Sequence, residues 1–398
     1  MASVEVETYI ARWNGALPGK EWRRRGRATV VVGDGFGGGG PTPDPEQLHA
    51  GHVPNRVLIG MASPDNSFPG PGWSDALDII GQPIYEARRF SSGWITTGNF
   101  NSMIADAVEA SALPVISFKI PSNDWAGVYA KTYDSDLVTL FNLVQANGNP
   151  IVCSFHHEPA GDGTLTVWAK MQLYCAYWFA GYRSCSFSGS SISTFVPGSY
   201  NAAHDLSLNN GGNLSWGPIG NGFWWRNMSS SSLAQNRADA WPPELIAALN
   251  LHKGIVLNDF YDTDYIDQTA ALTDPAYRLV GTGVRTSTRI ANFCNWARSN
   301  GVNTSGAGEW GCIDDLDMYD TWDVMAANRD IWSIGNYFNS AFNSDHDWRL
   351  VPADYPDTSY VSSKGFVDFG GNAQSAGRLA AFQTILTEST DPTHTGPL

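Results

Sequence analysis

Pro150-Ile-Val-Cys-Ser-Phe-His-His-Glu-Pro-Ala-Gly-Asp-Gly163 is the stretch whose reading decides the fold. Its first half is a short apolar run suited to a strand buried on both faces. Its second half stops that run with Pro159, Gly161 and Gly163. Glu158 sits where the run ends. A second segment repeats the plan: Asn303-Thr-Ser-Gly-Ala-Gly-Glu-Trp-Gly311 carries Glu309 near the end of another strand-like run. Helix-like sequence follows each. Strand ends of this kind are where a β/α barrel collects catalytic groups. Two carboxylates meeting there are what cleavage of a glycosidic bond requires.

The flanking sequence supplies the rest of such a barrel. Val57-Leu-Ile-Gly-Met-Ala62, Pro83-Ile-Tyr-Glu-Ala-Arg-Arg-Phe90 and Pro114-Val-Ile-Ser-Phe-Lys-Ile120 read as the first three strands, and 150–155 as the fourth. Leu137, Leu140, Phe141 and Val144 have helical spacing within 134–146, and 167–182 reads as a helix apolar nearly all round. Thr194-Phe-Val-Pro-Gly-Ser-Tyr200 reads as the fifth strand, followed by a long irregular insertion over 205–240. Gly254-Ile-Val-Leu-Asn-Asp-Phe-Tyr261 is the sixth, the Glu309 segment the seventh and Ile331-Trp-Ser-Ile-Gly-Asn-Tyr-Phe338 the eighth. Helices are expected at 285–299, 321–328 and 376–386. Eight strands, most followed by a helix or a long connection, predict a (β/α)8 TIM barrel over residues 51–398.

Ahead of the barrel, Gly33-Asp-Gly-Phe-Gly-Gly-Gly-Gly-Pro-Thr-Pro-Asp-Pro45 marks residues 34–50 as a Gly/Pro-rich linker. Residues 1–33 hold strand-like pieces at 4–10 and 28–32 around Lys20-Glu-Trp-Arg-Arg-Arg-Gly-Arg27. They are too few for an independent core and read as a docking or attachment segment.

Composition narrows the chemistry. A net charge of −15 over 398 residues argues against a nucleic-acid partner, which needs a basic surface. No apolar run approaches the ~18 residues of a membrane span, and Met1-Ala-Ser-Val-Glu-Val-Glu-Thr8 lacks the pattern of a secretory signal. Five cysteines (153, 175, 185, 294, 312), without close CxxC pairs, read as free thiols of a protein folded in a cytoplasm. His156, His157, Glu158 and Asp162 crowd together but lack HExxH spacing, so neither a metal nor any other cofactor is expected. No GxSxG elbow is present. Sixteen Trp and fifteen Tyr offer apolar faces on which sugar rings stack.

A retaining glycosidase needs one protonated carboxyl to donate to the leaving oxygen and one ionised carboxylate to attack the anomeric carbon. His157-Glu158 at the end of a fourth strand, with Glu309 in Gly-Glu-Trp at the end of a seventh, resembles the family 26 glycoside hydrolases. These are the β-mannanase-like members of the retaining β/α-barrel clan, and the resemblance covers about residues 55–390. It implies an endo-acting, retaining O-glycoside hydrolase with Glu158 as acid/base and Glu309 as nucleophile. His157 would contact sugar hydroxyls or orient Glu158. Strict strand alternation puts His157 and Glu158 on opposite faces, so the resemblance requires a bend there, for which Pro159 offers a cause.

By the same resemblance Arg89, in Arg88-Arg-Phe-Ser-Ser-Gly-Trp94, steadies the nucleophile, and Tyr261, in Asp259-Phe-Tyr-Asp262, donates to Glu309. Trp310, Trp332 and Tyr337 are expected to line the cleft. The family pattern continues His-Glu with Met-Asn-Gly and Trp, whereas this chain has Pro159-Ala-Gly-Asp-Gly163, so mannan specificity does not transfer. The layout of an attachment-like N-terminus ahead of a divergent glycosidase barrel resembles minor tail proteins of phages that infect actinobacteria. That resemblance implies a place in the virion tail, contact with other tail proteins through the N-terminal segment, and a host cell-envelope or capsular polysaccharide as substrate. The alternatives are an inactive glycan-binding or structural barrel in the tail, and a bacterial mannanase-like enzyme outside any phage, cytoplasmic or exported without a classical signal.

Overall fold

Parallel strands alternate with helices through the computed structural model, which describes residues 47–62, 72–91, 93–261, 284–312, 314–340, 348–355 and 372–390. The strand-like pieces expected at 4–10 and 28–32, and most of the linker, lie outside the described residues. Four strand–helix units come first: β1 (Leu58–Ala62) with α1 (Trp73–Ile80), β2 (Glu86–Ser91) with α2 (Thr97–Ala110), β3 (Leu113–Phe118) with α3 (Asp134–Asn147), and β4 (Ile151–Phe155) with α4 (Leu165–Phe179). β5 (Leu214–Trp216) and β6 (Ile219–Asn221) precede α5 (Pro243–Leu251). β7 (Val256–Tyr261) with α6 (Thr286–Ser299), β8 (Ser305–Gly311) with α7 (Asp315–Ala327), and β9 (Trp332–Phe338) with α8 (Asn372–Ser389) complete the series.

The sheet runs β6-β7-β8-β9-β1-β2-β3-β4-β5 and every pairing in it is parallel. Its two end strands are separated in sequence by Gly217 and Pro218 alone, so they are two halves of one strand position. Ile151 of β4 pairs with Leu214, while Leu257 of β7 pairs with Ile219. Across the break, Gly217 N–H donates to the Cys153 carbonyl at 2.9 Å, and the Pro218 carbonyl accepts from Leu257 N–H at 3.0 Å. Pro218 has no N–H to give, which interrupts the ladder without opening the barrel. The result is a closed (β/α)8 barrel.

The fifth strand is therefore not where the sequence reading puts it. Thr194–Tyr200 contributes instead to two antiparallel pairs outside the barrel, Phe195–Val196 with Ser186–Phe187 and Ser199–Asp205 with Ala180–Arg183. Ser199 to Ala203 are all exposed, so they cannot serve as a strand buried on both faces. The true fifth position hid inside the irregular stretch because Gly217-Pro218 has the signature of a turn. Helix α4 is buried nearly all round, from Trp168 through Phe179, because the short helix Trp125–Tyr129, the helix Ser231–Ala240 and α5 pack against it together with Ala180–Arg183.

Apolar side chains fill two zones. Leu58, Leu113, Val115, Val152, Ile219, Ile255, Leu257 and Ile334 form a plug inside the barrel. A larger layer between strands and helices holds most of the tryptophans. His49 and Ala50, at the end of the linker stretch, are buried, and Ala50 N–H donates to Ser215 Oγ at 2.7 Å. No described helix is long and apolar enough to cross a membrane.

Candidate active site

Alternation along β2 sends Glu86, Arg88 and Phe90 toward the barrel interior and Ala87 and Arg89 outward. Arg88 is fully buried, and its Nε lies 3.8 Å from Glu309 Oε1, an ion-pair distance. Its Nη1 donates to the Arg89 carbonyl at 2.8 Å and to Ser117 Oγ at 3.1 Å. Ser117 Oγ in turn lies 3.2 Å from His157 Nδ1. One guanidinium thus links β2, β3, the end of β4 and the β8 carboxylate.

Glu309 reaches the site through a bulge. The β7–β8 register runs Asn258↔Ala307 and then Asp259↔Glu309, so Gly308 is the extra residue. A Cβ on Gly308 would lie 2.5 Å from Asp259 Oδ1 and 2.8 Å from Ile219, so only glycine fits. Tyr261, at the last position of β7, donates its hydroxyl to Glu309 Oε2 at 2.6 Å.

Glu158 is brought round by a turn that begins earlier than Pro159. His156 and Glu158 both have left-handed backbones, with φ of 52° and 51°. The strand therefore ends by curling rather than alternating, and His157 and Glu158 both come to the barrel mouth. Glu158 N–H donates to the Ile219 carbonyl at 3.1 Å, tying the turn to the far half of the split strand.

The two carboxyls differ in their surroundings. Burial raises the affinity of Glu309 for a proton, but Arg88 and the Tyr261 hydroxyl oppose it. Glu158 is pushed up to about 7, first by burial and then by the charge of Glu309; Arg88 partly offsets this and Asp162 adds to it. A single proton shared by the pair therefore belongs on Glu158, because Glu309 holds the donors that favour its ionised form. Burial first, then the Arg88 charge, hold His157 well below the usual histidine range, so its ring is neutral. Tyr261 is raised well above the usual tyrosine range, by burial first, and keeps the proton it donates.

Several expected residues stand elsewhere. Arg89 does not steady the nucleophile; it faces outward and pairs with Asp106 of α2 at 2.8 Å. Two adjacent arginines point to opposite faces, and Arg88 is the one that turns inward. Trp310, Trp332 and Tyr337 do not line the cleft, since all three are fully buried behind the strands. Trp310 meets Tyr337 edge to face at 4.9 Å, Tyr337 packs on Phe382 of α8, and Trp332 packs against Phe260 and Phe293. They supply core to the strand–helix layer.

Among the described residues Phe90 faces the mouth, 44% exposed, with its ring 5.1 Å from that of His157. The sequence reading also missed Asp259, an almost fully buried third carboxyl on β7. Burial first, then the charges of Glu309 and Glu158, push it well above the usual carboxylate range, so it carries a proton. Strand alternation from Tyr261 would have found Asp259, and alternation from Arg88 would have found Phe90. Among the described residues no group of three or more His, Cys, Asp or Glu is arranged to hold a metal ion.

No family model matches the sequence, and no curated protein matches it either. Among solved structures, a Cellulomonas fimi endo-β-1,4-mannanase double mutant is similar over 90% of this chain and 76% of its own, at 13% identity and a TM-score of 0.47. A Bacteroides ovatus family 5 xyloglucanase is similar over 84% of this chain and 75% of its own, at 10% identity and a TM-score of 0.44. A broad-specificity family 5 endoglucanase from Bacteroides salanitronis covers 84% and 93%, at 12% identity and a TM-score of 0.44. These proteins are polysaccharide-cleaving glycoside hydrolases.

Proposed function

We propose that this chain is an endo-acting, retaining glycoside hydrolase of polysaccharide, with Glu158 as acid/base and Glu309 as nucleophile. One observation carries the reading: a carboxylate held by Tyr261 at 2.6 Å and Arg88 at 3.8 Å shares the barrel mouth with a carboxyl pushed up to about 7. In the first step Glu309 attacks the anomeric carbon while Glu158 gives its proton to the departing oxygen. Covalent attachment of the sugar neutralises Glu309, which removes the charge that held the proton on Glu158. Glu158 is then ionised and takes a proton from the water that releases the sugar. His157, neutral and edged by Phe90, is placed to hydrogen-bond sugar hydroxyls.

The N-terminal layout supports a further reading, that the barrel is carried in a phage tail and acts on a host-envelope or capsular glycan. Mass spectrometry of purified virions tests it, and absence of the chain there would remove it. The enzymatic reading is tested by reducing-end release from a panel of bacterial envelope glycans and plant β-glycans. Wild type should release oligosaccharides from at least one, while Glu158→Gln and Glu309→Gln should not. Undiminished release by both variants would show that the pair is not the catalytic one. Binding by all three proteins without release would favour a glycan-binding barrel.

A further inference from the structure

The left-handed turn after β4 is held by one short loop closed on itself. His156 is 2% exposed, and its Nε2 lies 2.8 Å from Asp162 Oδ2, six residues on. With a carboxylate as acceptor, the neutral imidazole carries its proton on Nε2. Trp125 packs edge-on against the ring at 4.8 Å, His156 N–H donates to the Phe118 carbonyl at 2.9 Å, and the His156 carbonyl accepts from Trp168 Nε1 at 2.8 Å. Asp162 is fixed in turn: its N–H donates to the Pro159 carbonyl at 3.2 Å, and its carbonyl accepts from Asn123 Nδ2 at 3.2 Å. Lys119 Nζ lies 3.6 Å from the same carboxylate oxygen that holds His156.

Non-glycine residues keep left-handed backbones only where their surroundings over-determine them. Here two such residues flank His157, and the second is Glu158 itself. We propose that Asp162 is the positioning residue of Glu158: its carboxylate locks His156 into the left-handed turn and so fixes where the Glu158 carboxyl points, without touching substrate. The proposal rests on the reading of Glu158 as acid/base. Glu158 faces Glu309 on β8, Asp259 on β7, Arg88 on β2 and Asp162 on its own loop. His156 faces Asp162 and Lys119, and His157 adjoins it. Asp162 therefore acts on Glu158 twice, through the turn and through its charge.

The test compares wild type with Asp162→Ala, which removes shape and charge, and Asp162→Asn, which keeps an acceptor for His156 but removes the charge. The first readout needs no substrate: the Glu158 carboxyl is titrated by 13C NMR, its resonance assigned by its loss in Glu158→Gln. The second is kcat and KM on whichever glycan the wild type cleaves. The Ala variant should lose about 100-fold in kcat with KM nearly unchanged, the effect of a misaimed group on bound substrate. The Asn variant should restore most of kcat, while its Glu158 titrates at lower pH than in wild type. A Glu158 resonance with the same shift and titration in the Ala variant as in the Asn variant, or wild-type kcat in a folded Ala variant, would overturn the proposal. If Glu158→Gln hydrolyses as well as wild type, the acid/base reading fails instead, and the titration still reports whether Asp162 governs Glu158.

Discussion

Glu158 and Glu309 are the same residue type made different by their neighbours. Glu309 is nearly fully buried and held by Tyr261 and Arg88, whereas Glu158 is half-buried and faces other carboxyls. Tyr261→Phe removes a donor to a charged group, worth about 1.5–3 kcal/mol, so kcat/KM should fall by roughly ten- to a hundredfold. Glu309 then binds its proton more tightly, and steady-state kinetics across pH should show the acid limb moving upward. Glu158 must be protonated for the first step, so activity should decline as pH rises through about 7. The same group affects stability. Its folded form binds a proton more tightly than its unfolded form, so stability falls as pH rises from the ordinary carboxylate range to about 7, then levels off. Glu158→Gln should remove that slope and stabilise the protein by about 1 kcal/mol at pH 8, after discounting for the group's partial exposure. Urea unfolding at pH 5 and pH 8 measures it.

Strand geometry explains which site residues the sequence disclosed. Glu158, Glu309 and Tyr261 lie near strand ends and are marked by the breakers and aromatics around them. Arg88 and Arg89 are adjacent, and nothing in Arg-Arg says which one faces inward until a neighbouring strand fixes the pleat. Arg89→Ala should therefore leave kcat within about twofold, since its guanidinium pairs with Asp106 of α2 and not with Glu309. Arg88→Ala should destabilise by about 3–5 kcal/mol, because it leaves Glu309 a buried, uncompensated charge. Thermal unfolding with activity assays separates the two. The bulge at Gly308 was equally hidden, since Ser-Gly-Ala-Gly-Glu carries no mark of which glycine is the extra residue. Gly308→Ala pushes a methyl group onto Asp259 and should cost about 1–3 kcal/mol, read as a drop in Tm. The split fifth strand shows the converse, a turn signature inside a barrel strand that keeps its hydrogen bonds on both sides.

Across the whole molecule, closure of the sheet is what brings residues 151 positions apart into one mouth. Alternating strand-like and helix-like segments made the barrel legible even with its fifth strand misplaced, because the other seven strands left one gap to fill. Cleft aromatics were not legible, since Trp and Tyr serve the strand–helix layer as readily as a sugar platform, and sequence does not separate the two. Azide rescue separates the roles of the two glutamates. With an aryl β-glycoside of the sugar the wild type cleaves, Glu309→Ala plus azide should yield the α-glycosyl azide, azide taking the nucleophile's place. Glu158→Ala plus azide should yield the β-glycosyl azide, formed from an intact glycosyl-enzyme. Anomeric configuration read by proton NMR decides it: this pairing of products is predicted, and reversed anomers or no rescue in either variant would contradict the assignment.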